Sequence, residues 1–217
     1  MKCTHPIKVK GLTVGCGQCT ACRLNYSAMW ALRCVLESQC HQENVFLTLT
    51  YNDEHLPKNN SVSKRVMKKF MKRFRKSVNP AKVRYYLSGE YGSKYSRPHY
   101  HLLLFGVGMK NPVFENLHWD CKFQGFWCQC KAWKDAKGKS IGNCFVGSVT
   151  IASAQYVAKY VMKKRKGPGS KAYYESLGVQ PEFCLMSRRP GLGMLYFEKQ
   201  QKQIYELCYI KFAGKKF

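Results

Sequence analysis

His99 and His101 stand one residue apart at the head of the apolar run Leu102-Leu103-Leu104-Phe105. That run reads as a buried strand, on which residues two apart share a face, so both imidazoles project from one side and Tyr100 from the other. Upstream, Val83 to Glu90 reads as a second strand, with Gly92, Ser93, Ser96 and Pro98 marking a turn between the two. A hairpin closed there brings Glu90 beside the histidines. Two imidazoles and one carboxylate on one side of a sheet make a three-ligand cation site with positions left for substrate. An isolated His-x-His is more often a pair of half-exposed strand residues; its partners elsewhere in the chain shift the balance.

The first of those partners lies between Ala152 and Lys166. Ser153 reads as the N-cap of a helix that Gly167-Pro168-Gly169 ends. Tyr156 and Tyr160, four apart, share one face of it, with Lys159 beside them. Such a pair is usually part of a core. Next to a cation site, however, a phenol can attack a polarised phosphodiester and leave a covalent phosphotyrosine, with Lys159 stabilising the developing charge. A third group is Cys16, Cys19 and Cys22, whose spacing suits one soft metal, zinc above all, with Cys3 or His5 as fourth ligand. The competing reading is that only some of these thiols meet, or that they are merely packed. A ferredoxin-like cluster lacks its fourth cysteine followed by proline.

The elements that must position these groups follow from periodicity. Cys22 to about Gln42 repeats apolar residues at helical intervals, Val45 to Tyr51 reads as a central strand, and Phe145 to Ile151 as another. Asp53, Glu54 and His55 follow the central strand in a loop that either approaches the site or is an ordinary solvated turn. From Ser61 to Val78, Val62, Val66, Phe70, Phe74 and Val78 form one apolar stripe on a helix. The rest of that helix carries Lys64, Arg65, Lys68, Lys69, Lys72, Arg73, Arg75 and Lys76 with no acidic residue, which fits a phosphate-tracking surface better than a solvated face. Arg188 and Arg189, in Ser187-Arg188-Arg189-Pro190-Gly191, form a second basic segment suited to a backbone phosphate. Leu195 to Tyr209 reads as a closing helix. Gly106 to Asn143, with three tryptophans and Cys121, Cys128 and Cys130 ahead of Cys144, is too irregular for a second metal site and reads as a packed insertion.

Composition sets the outer limits. With 37 Lys plus Arg against 12 Asp plus Glu in 217 residues, the formal net charge is +25, which calls for a polyanionic partner. No apolar stretch of about 18 residues and no signal-peptide pattern point to a membrane. The length and the Cys-x-x-Cys spacing favour reduced thiols in a cytosol over a disulfide scaffold.

Together these motifs resemble an HUH endonuclease of the rolling-circle replication initiator type, and more closely the initiators of small single-stranded-DNA phages of the microvirus group, especially its gokushovirus branch. Phe46 to Pro57 matches the first family motif. Pro98-His99-Tyr100-His101 matches the metal-binding motif, with Glu90 at the usual distance upstream, and Tyr156-Val157-Ala158-Lys159-Tyr160 matches the nucleophile motif in its two-tyrosine form. Cys16 to Arg23 and Ser187 to Gly191 also resemble that branch, whereas the insertion from Cys121 to Cys144 departs from it. The resemblance implies an α+β fold, an antiparallel sheet with flanking helices close to RNA-recognition domains. A Cys-rich segment and covering helix would span 1–43, the nuclease core 44–167 with its insertion at 106–143, and a basic extension 168–217. It implies a DNA nickase and strand transferase holding Mg²⁺ or Mn²⁺ on Glu90, His99 and His101, in which Tyr156 or Tyr160 takes the 5′ phosphate. The implied partners are single-stranded or supercoiled phage origin DNA and a host helicase and polymerase, in the host bacterial cytoplasm. Two other readings share parts of this pattern: a non-catalytic zinc-bearing nucleic-acid-binding protein, and a relaxase or transposase with the same chemistry.

Overall fold

The computed structural model describes residues 2–207, 211–212 and 215–216. A short hairpin, β1 (Ile7–Val9) and β2 (Leu12–Val14), precedes helix α1 (Thr20–Ser38). Strand β3 (Asn44–Thr50), helix α2 (Lys64–Ser77) and the hairpin β4 (Arg84–Tyr91) and β5 (Pro98–Phe105) follow. Next come β6 (Phe114–Asp120), β7 (Gly125–Cys130), β8 (Cys144–Ser148) and helix α3 (Ile151–Lys159), which tightens into a 3₁₀ turn at Tyr160–Met162. Helix α4 (Ser170–Ser176), β9 (Phe183–Met186) and helix α5 (Met194–Leu207) complete the main elements, and a two-residue pair, β10 (Lys211–Phe212) and β11 (Lys215–Lys216), lies beyond them. The expected closing helix is thus seen to Leu207; its remaining residues, through Tyr209, lie outside the described residues.

One antiparallel sheet in the order β6-β7-β8-β3-β5-β4-β9 carries the fold. Strand β5 lies in its interior, with His101 opposite Thr48 of β3 and Ser88 of β4, and His99 opposite Thr50 and Glu90. Because β3 and β4 each run antiparallel to β5, they are parallel to one another, and α2 is the crossover between them.

Strand alternation divides the apolar residues into two cores. Leu47, Leu49, Tyr100, Leu102 and Leu104 face Met67, Phe70, Met71 and Phe74 of α2. The anticipated stripe on that helix therefore gains two methionines, while Val66 is only partly buried. On the other side, Tyr86, Leu103 and Phe105 pack against Cys34 and Val35 of α1 and Ala154 and Val157 of α3. His99 and His101 alternate with Tyr100 and so belong to the α1/α3 side. Buried Glu37 of α1 fastens this layer: it accepts from Arg84 Nε at 2.5 Å and from the Gly193 N–H at 2.8 Å, with His41 Nε2 at 3.0 Å. Burial would raise the pKa of that carboxyl, but these partners outweigh it and hold it below the usual value.

Several local expectations need correction. The N-cap of α3 is Thr150: its Oγ1 accepts from the Ser153 N–H at 3.1 Å while Ser153 Oγ accepts from the Thr150 N–H at 2.8 Å, a reciprocal capping box. Ser153 is the inner member of that box, and the strand expected to reach Ile151 ends at Ser148. The helix expected to run to Lys166 ends at Lys159 plus its 3₁₀ turn. Finally, the insertion extends the sheet by two strands, with fully buried Trp133 donating from Nε1 to the Thr50 carbonyl at 2.9 Å.

Candidate active site

The β4–β5 hairpin brings Glu90 and His99 into direct cross-strand register. Gly92 opens the turn: a Cβ there would lie 2.8 Å from His99 Cε1, so a side chain would push the imidazole out of place. The His99 and His101 rings are parallel, with centroids 6.4 Å apart. Each has its Nδ1 engaged, His99 to the Arg97 carbonyl at 2.7 Å and His101 to Thr48 Oγ1 at 2.9 Å. An imidazole held at Nδ1 presents Nε2 as its ligand atom. Glu90 and His101 are each 4% exposed, with His101 Nε2 3.3 Å from Glu90 Oε1. The other Glu90 oxygen accepts from Lys163 Nζ.

The electrostatics suit cation chemistry. Burial would raise the Glu90 pKa, but hydrogen bonds from His101 and Lys163 hold it below the usual carboxylate range, so the group is ionised. Burial lowers the pKa of His101 against the opposing pull of Glu90, which leaves a neutral imidazole with a lone pair to offer. The donor set of one carboxylate and two imidazoles fits a divalent ion such as Mg²⁺ or Mn²⁺. The Ser88 hydroxyl, opposite His101 in register, is buried without a hydrogen-bond partner among the described residues, a further polar group beside the site. The three ligand atoms do not draw as close together as those of the thiol cluster described below.

Both tyrosines reach this centre. Tyr160 stacks on His101 at 4.7 Å between centroids, and Tyr156 meets the same ring edge-on at 5.2 Å. The two phenols are neighbours at 5.0 Å between centroids, but their exposures differ: Tyr156 is 47% exposed and Tyr160 7%. Burial, then the neighbouring Tyr156 hydroxyl and the Glu90 charge, push the Tyr160 pKa well up. A cavity of about 400 Å³ is lined by Glu90, His99, His101, Tyr156, Tyr160 and Lys163, together with the hairpin turn. Lys159, expected beside the phenols, is exposed and outside this lining. The 3₁₀ turn is the reason: tightening after Lys159 swings Lys163 inward, where it reaches Glu90 and lies 4.9 Å above the Tyr160 ring.

The model of the replication-associated protein ORF2 family matches residues 44–165, which include β3, both histidines and both tyrosines. The chain belongs to that family. It is 34% identical over 203 residues to replication-associated protein ORF2 of Spiroplasma virus 4, covering 89% of this chain and 60% of that protein. It is 31% identical over 209 residues to replication-associated protein VP4 of Bdellovibrio phage phiMH2K, covering 90% of this chain and 61% of that protein. The chain thus spans about three-fifths of the length of these relatives. No solved structure matches it.

Outside the family segment, the Cys3, Cys16, Cys19 and Cys22 ligand atoms all lie within 4.8 Å of one another, the one such group found among the described residues. The fourth partner is therefore Cys3, while His5 pairs with Thr4 Oγ1. The Cys16 and Cys19 N–H groups donate to Cys3 Sγ and Cys16 Sγ, both at 3.3 Å. Hydrogen bonds from the Cys22 and Thr4 backbone lower the Cys19 pKa to about 5. A metal such as zinc fits this cluster. In the insertion, Cys128, Cys130 and Cys144 are buried in the core and Cys121 is exposed, in line with packing.

The other candidate residues lie away from the cavity. Asp53 pairs with Arg97 at 2.6 Å, Glu54 with Lys139, and His55 sits between Asn52 and Asp135, so that loop is a structural turn. Helix α2 covers the face opposite the histidines, which places Lys64, Arg65, Lys68, Lys69, Lys72, Arg73, Arg75 and Lys76 away from the phenols. Arg73 and Arg75 also donate to the Ala132 and Val83 carbonyls. Arg188 and Arg189 line a separate hollow of about 430 Å³ with Arg75 and Arg84. If α2 holds backbone phosphates, they belong to DNA passing round the molecule. Reversing Lys68, Lys69 and Lys72 to Glu is then expected to weaken binding to all single strands and cut the log–log salt slope by about 0.7 per contact. Cleavage of a short saturating oligonucleotide should be unchanged. Anisotropy titrations at several salt concentrations measure the slope, and an unchanged slope would return α2 to an ordinary solvated face.

Proposed function

We propose that this chain initiates rolling-circle replication of a small single-stranded-DNA phage by nicking and rejoining one strand at the origin. The observation that carries this reading is the packing of two phenols against His101, whose Nε2 faces the ionised Glu90. A core tyrosine pair has no need of a buried carboxylate and two oriented imidazoles. Phage origin DNA is the substrate in this reading, a host helicase and polymerase the partners, and the host cytoplasm the setting. The phage relatives favour replication over conjugation or transposition.

Held by Glu90, His99 and His101, Mg²⁺ or Mn²⁺ would supply Lewis acidity toward the oxygens of the scissile phosphate. The chain's own groups do the rest. The more exposed phenol, Tyr156, attacks phosphorus; the Tyr156 Oη–P bond forms as the P–O3′ bond breaks, and the proton lost by the phenol is matched by one gained at the 3′ oxygen. Lys163, rather than Lys159, is placed to stabilise charge beside Glu90 and Tyr160. The phosphotyrosine keeps the bond energy, so a second transfer, through Tyr160, can rejoin ends without a nucleotide cofactor. The test is incubation with Mn²⁺ and origin single strand labelled 3′ of the cleavage site, followed by mapping of the labelled peptide. A covalent adduct on Tyr156 or Tyr160 is expected; label that never becomes attached to protein would leave a non-catalytic DNA-binding protein.

The thiol cluster completes the reading as a structural zinc site tying Cys3, beside the β1–β2 hairpin, to the start of α1. Reduced protein is expected to carry about one zinc per chain, and Cys16→Ser with Cys19→Ser to lose it and to melt at lower temperature. Metal analysis of the purified chain decides this. Zinc-free wild-type protein with an unaltered melting temperature would sink the assignment.

A further inference from the structure

The insertion does more than extend the sheet. Its turn and strand β7 place Phe123 and Trp127, 58% and 40% exposed, on the same face as the histidines. The Trp127 ring meets Phe145 at 5.4 Å between centroids, and Phe123 meets Phe145 at 6.1 Å. Phe145 in turn meets Phe46 at 6.5 Å, and Phe46 meets both His101 and Tyr156 at 6.0 Å. An unbroken row of rings thus leads from the β6–β7 turn to the proposed nucleophile. It lines a trough of about 690 Å³ that shares His101 and Tyr156 with the cavity of the active site.

The trough is held in shape. Trp127 Nε1 donates to Asp120 Oδ2 at 2.8 Å, which fixes an exposed indole that could otherwise swing. Gly125 is required where the strand passes Phe145, since a Cβ there would stand 2.4 Å from the ring. Lys122 lies 5.5 Å over the Phe123 ring at the rim, so a cation borders the aromatic surface. Exposed rings that end at a phosphate-directed centre, in a chain of net charge +25, match the combination of stacking platform and cationic surface that binds single strands.

We infer that this trough is a nucleobase-stacking subsite, in which bases of single-stranded DNA beside the scissile phosphate lie against Phe123, Trp127 and Phe46. The inference rests on the nicking reading for the position of that phosphate, but its test needs no cleavage. Stacking is tolerant of sequence because every base has a flat face, so the subsite holds the strand while other contacts select the origin.

The test uses the full chain without added Mg²⁺ or Mn²⁺ and two fluorescent probes of equal charge, an oligothymidylate of about 12 nucleotides and an abasic strand of the same length. Wild-type protein is expected to bind the thymidylate at least about tenfold more tightly than the abasic strand, with quenching of tryptophan fluorescence. Phe123→Ala with Trp127→Ala should weaken thymidylate binding roughly tenfold to a hundredfold and erase the preference. Its salt slope should stay unchanged, because phosphate contacts remain. Phe123→Tyr with Trp127→Tyr should restore the preference, which separates stacking from a folding defect. Equal binding of the two probes by wild type, or undiminished thymidylate binding by the alanine variant, would overturn the inference and make the trough a docking patch for an apolar protein surface. Loss of the base preference in the alanine variant, in a wild-type chain that never forms an adduct, would uphold the subsite and sink the nickase reading alone.

Discussion

Replacing both Tyr156 and Tyr160 by Phe is expected to leave a folded protein that binds DNA and forms no covalent adduct. The ring contacts with His101 at 4.7 and 5.2 Å survive, because only the hydroxyls are lost. Removing a covalent nucleophile costs on the order of 10⁴-fold in rate or more, so the double variant should show no adduct above background. The single variants should differ. Tyr156 is open to solvent, whereas Tyr160 is stacked under the site with its pKa pushed up by burial and by its neighbours. Tyr156→Phe should therefore abolish the first adduct on a short oligonucleotide, and Tyr160→Phe should leave it within a few-fold of wild type. On a circular template both should fail, because termination needs a second free phenol. Gel analysis of labelled adducts measures each case. Adduct formation by Tyr156→Phe at the wild-type rate would reverse the order of the two phenols, and adduct formation by the double variant would remove both from the mechanism.

Much of this centre was legible in the sequence because short-range periodicity sets it. Alternation on β5 fixes the shared face of His99 and His101, the Gly, Ser and Pro turn fixes the hairpin that aligns Glu90, and a four-residue spacing sets Tyr156 over Tyr160. Lys163 was not legible. Regular helical spacing points to Lys159, and nothing local announces that the helix tightens at Tyr160. The side of the sheet taken by α2 was hidden too: amphipathicity says that one face of a helix is buried, not against what. Only the β3–α2–β4 crossover, with β5 inserted between its strands, decides this. The strands β6 and β7 escaped because a register shift between Glu115 and His118 breaks their alternation, and because aromatic rings occupy both their buried and exposed positions.

Removal of the proposed cation ligands should have the second large effect, and it separates ligand atoms from those that aim them. His99→Ala is the cleaner first variant, since His99 is only half-buried, whereas His101 is packed between Phe46 and Tyr160. His99→Ala and Glu90→Gln are each expected to reduce cleavage by at least about 10²-fold while leaving DNA affinity within a few-fold, because affinity rests on phosphate contacts elsewhere. Thr48 provides the sharper case. Its hydroxyl touches no substrate in the proposed reaction but engages His101 Nδ1 at 2.9 Å, which turns Nε2 toward Glu90. Thr48→Val keeps the shape and removes that partner, and second-sphere losses of this kind cost roughly 10- to 100-fold in metal affinity. Cleavage by Thr48→Val should thus fall at low Mn²⁺ and recover at high Mn²⁺, whereas His99→Ala and Glu90→Gln should recover poorly. A Mn²⁺ titration of the initial cleavage rate distinguishes the two patterns. Recovery of all three at high Mn²⁺ would show that neither His99 nor Glu90 is an essential ligand, and no response of Thr48→Val to Mn²⁺ would show that its hydroxyl does not aim the imidazole.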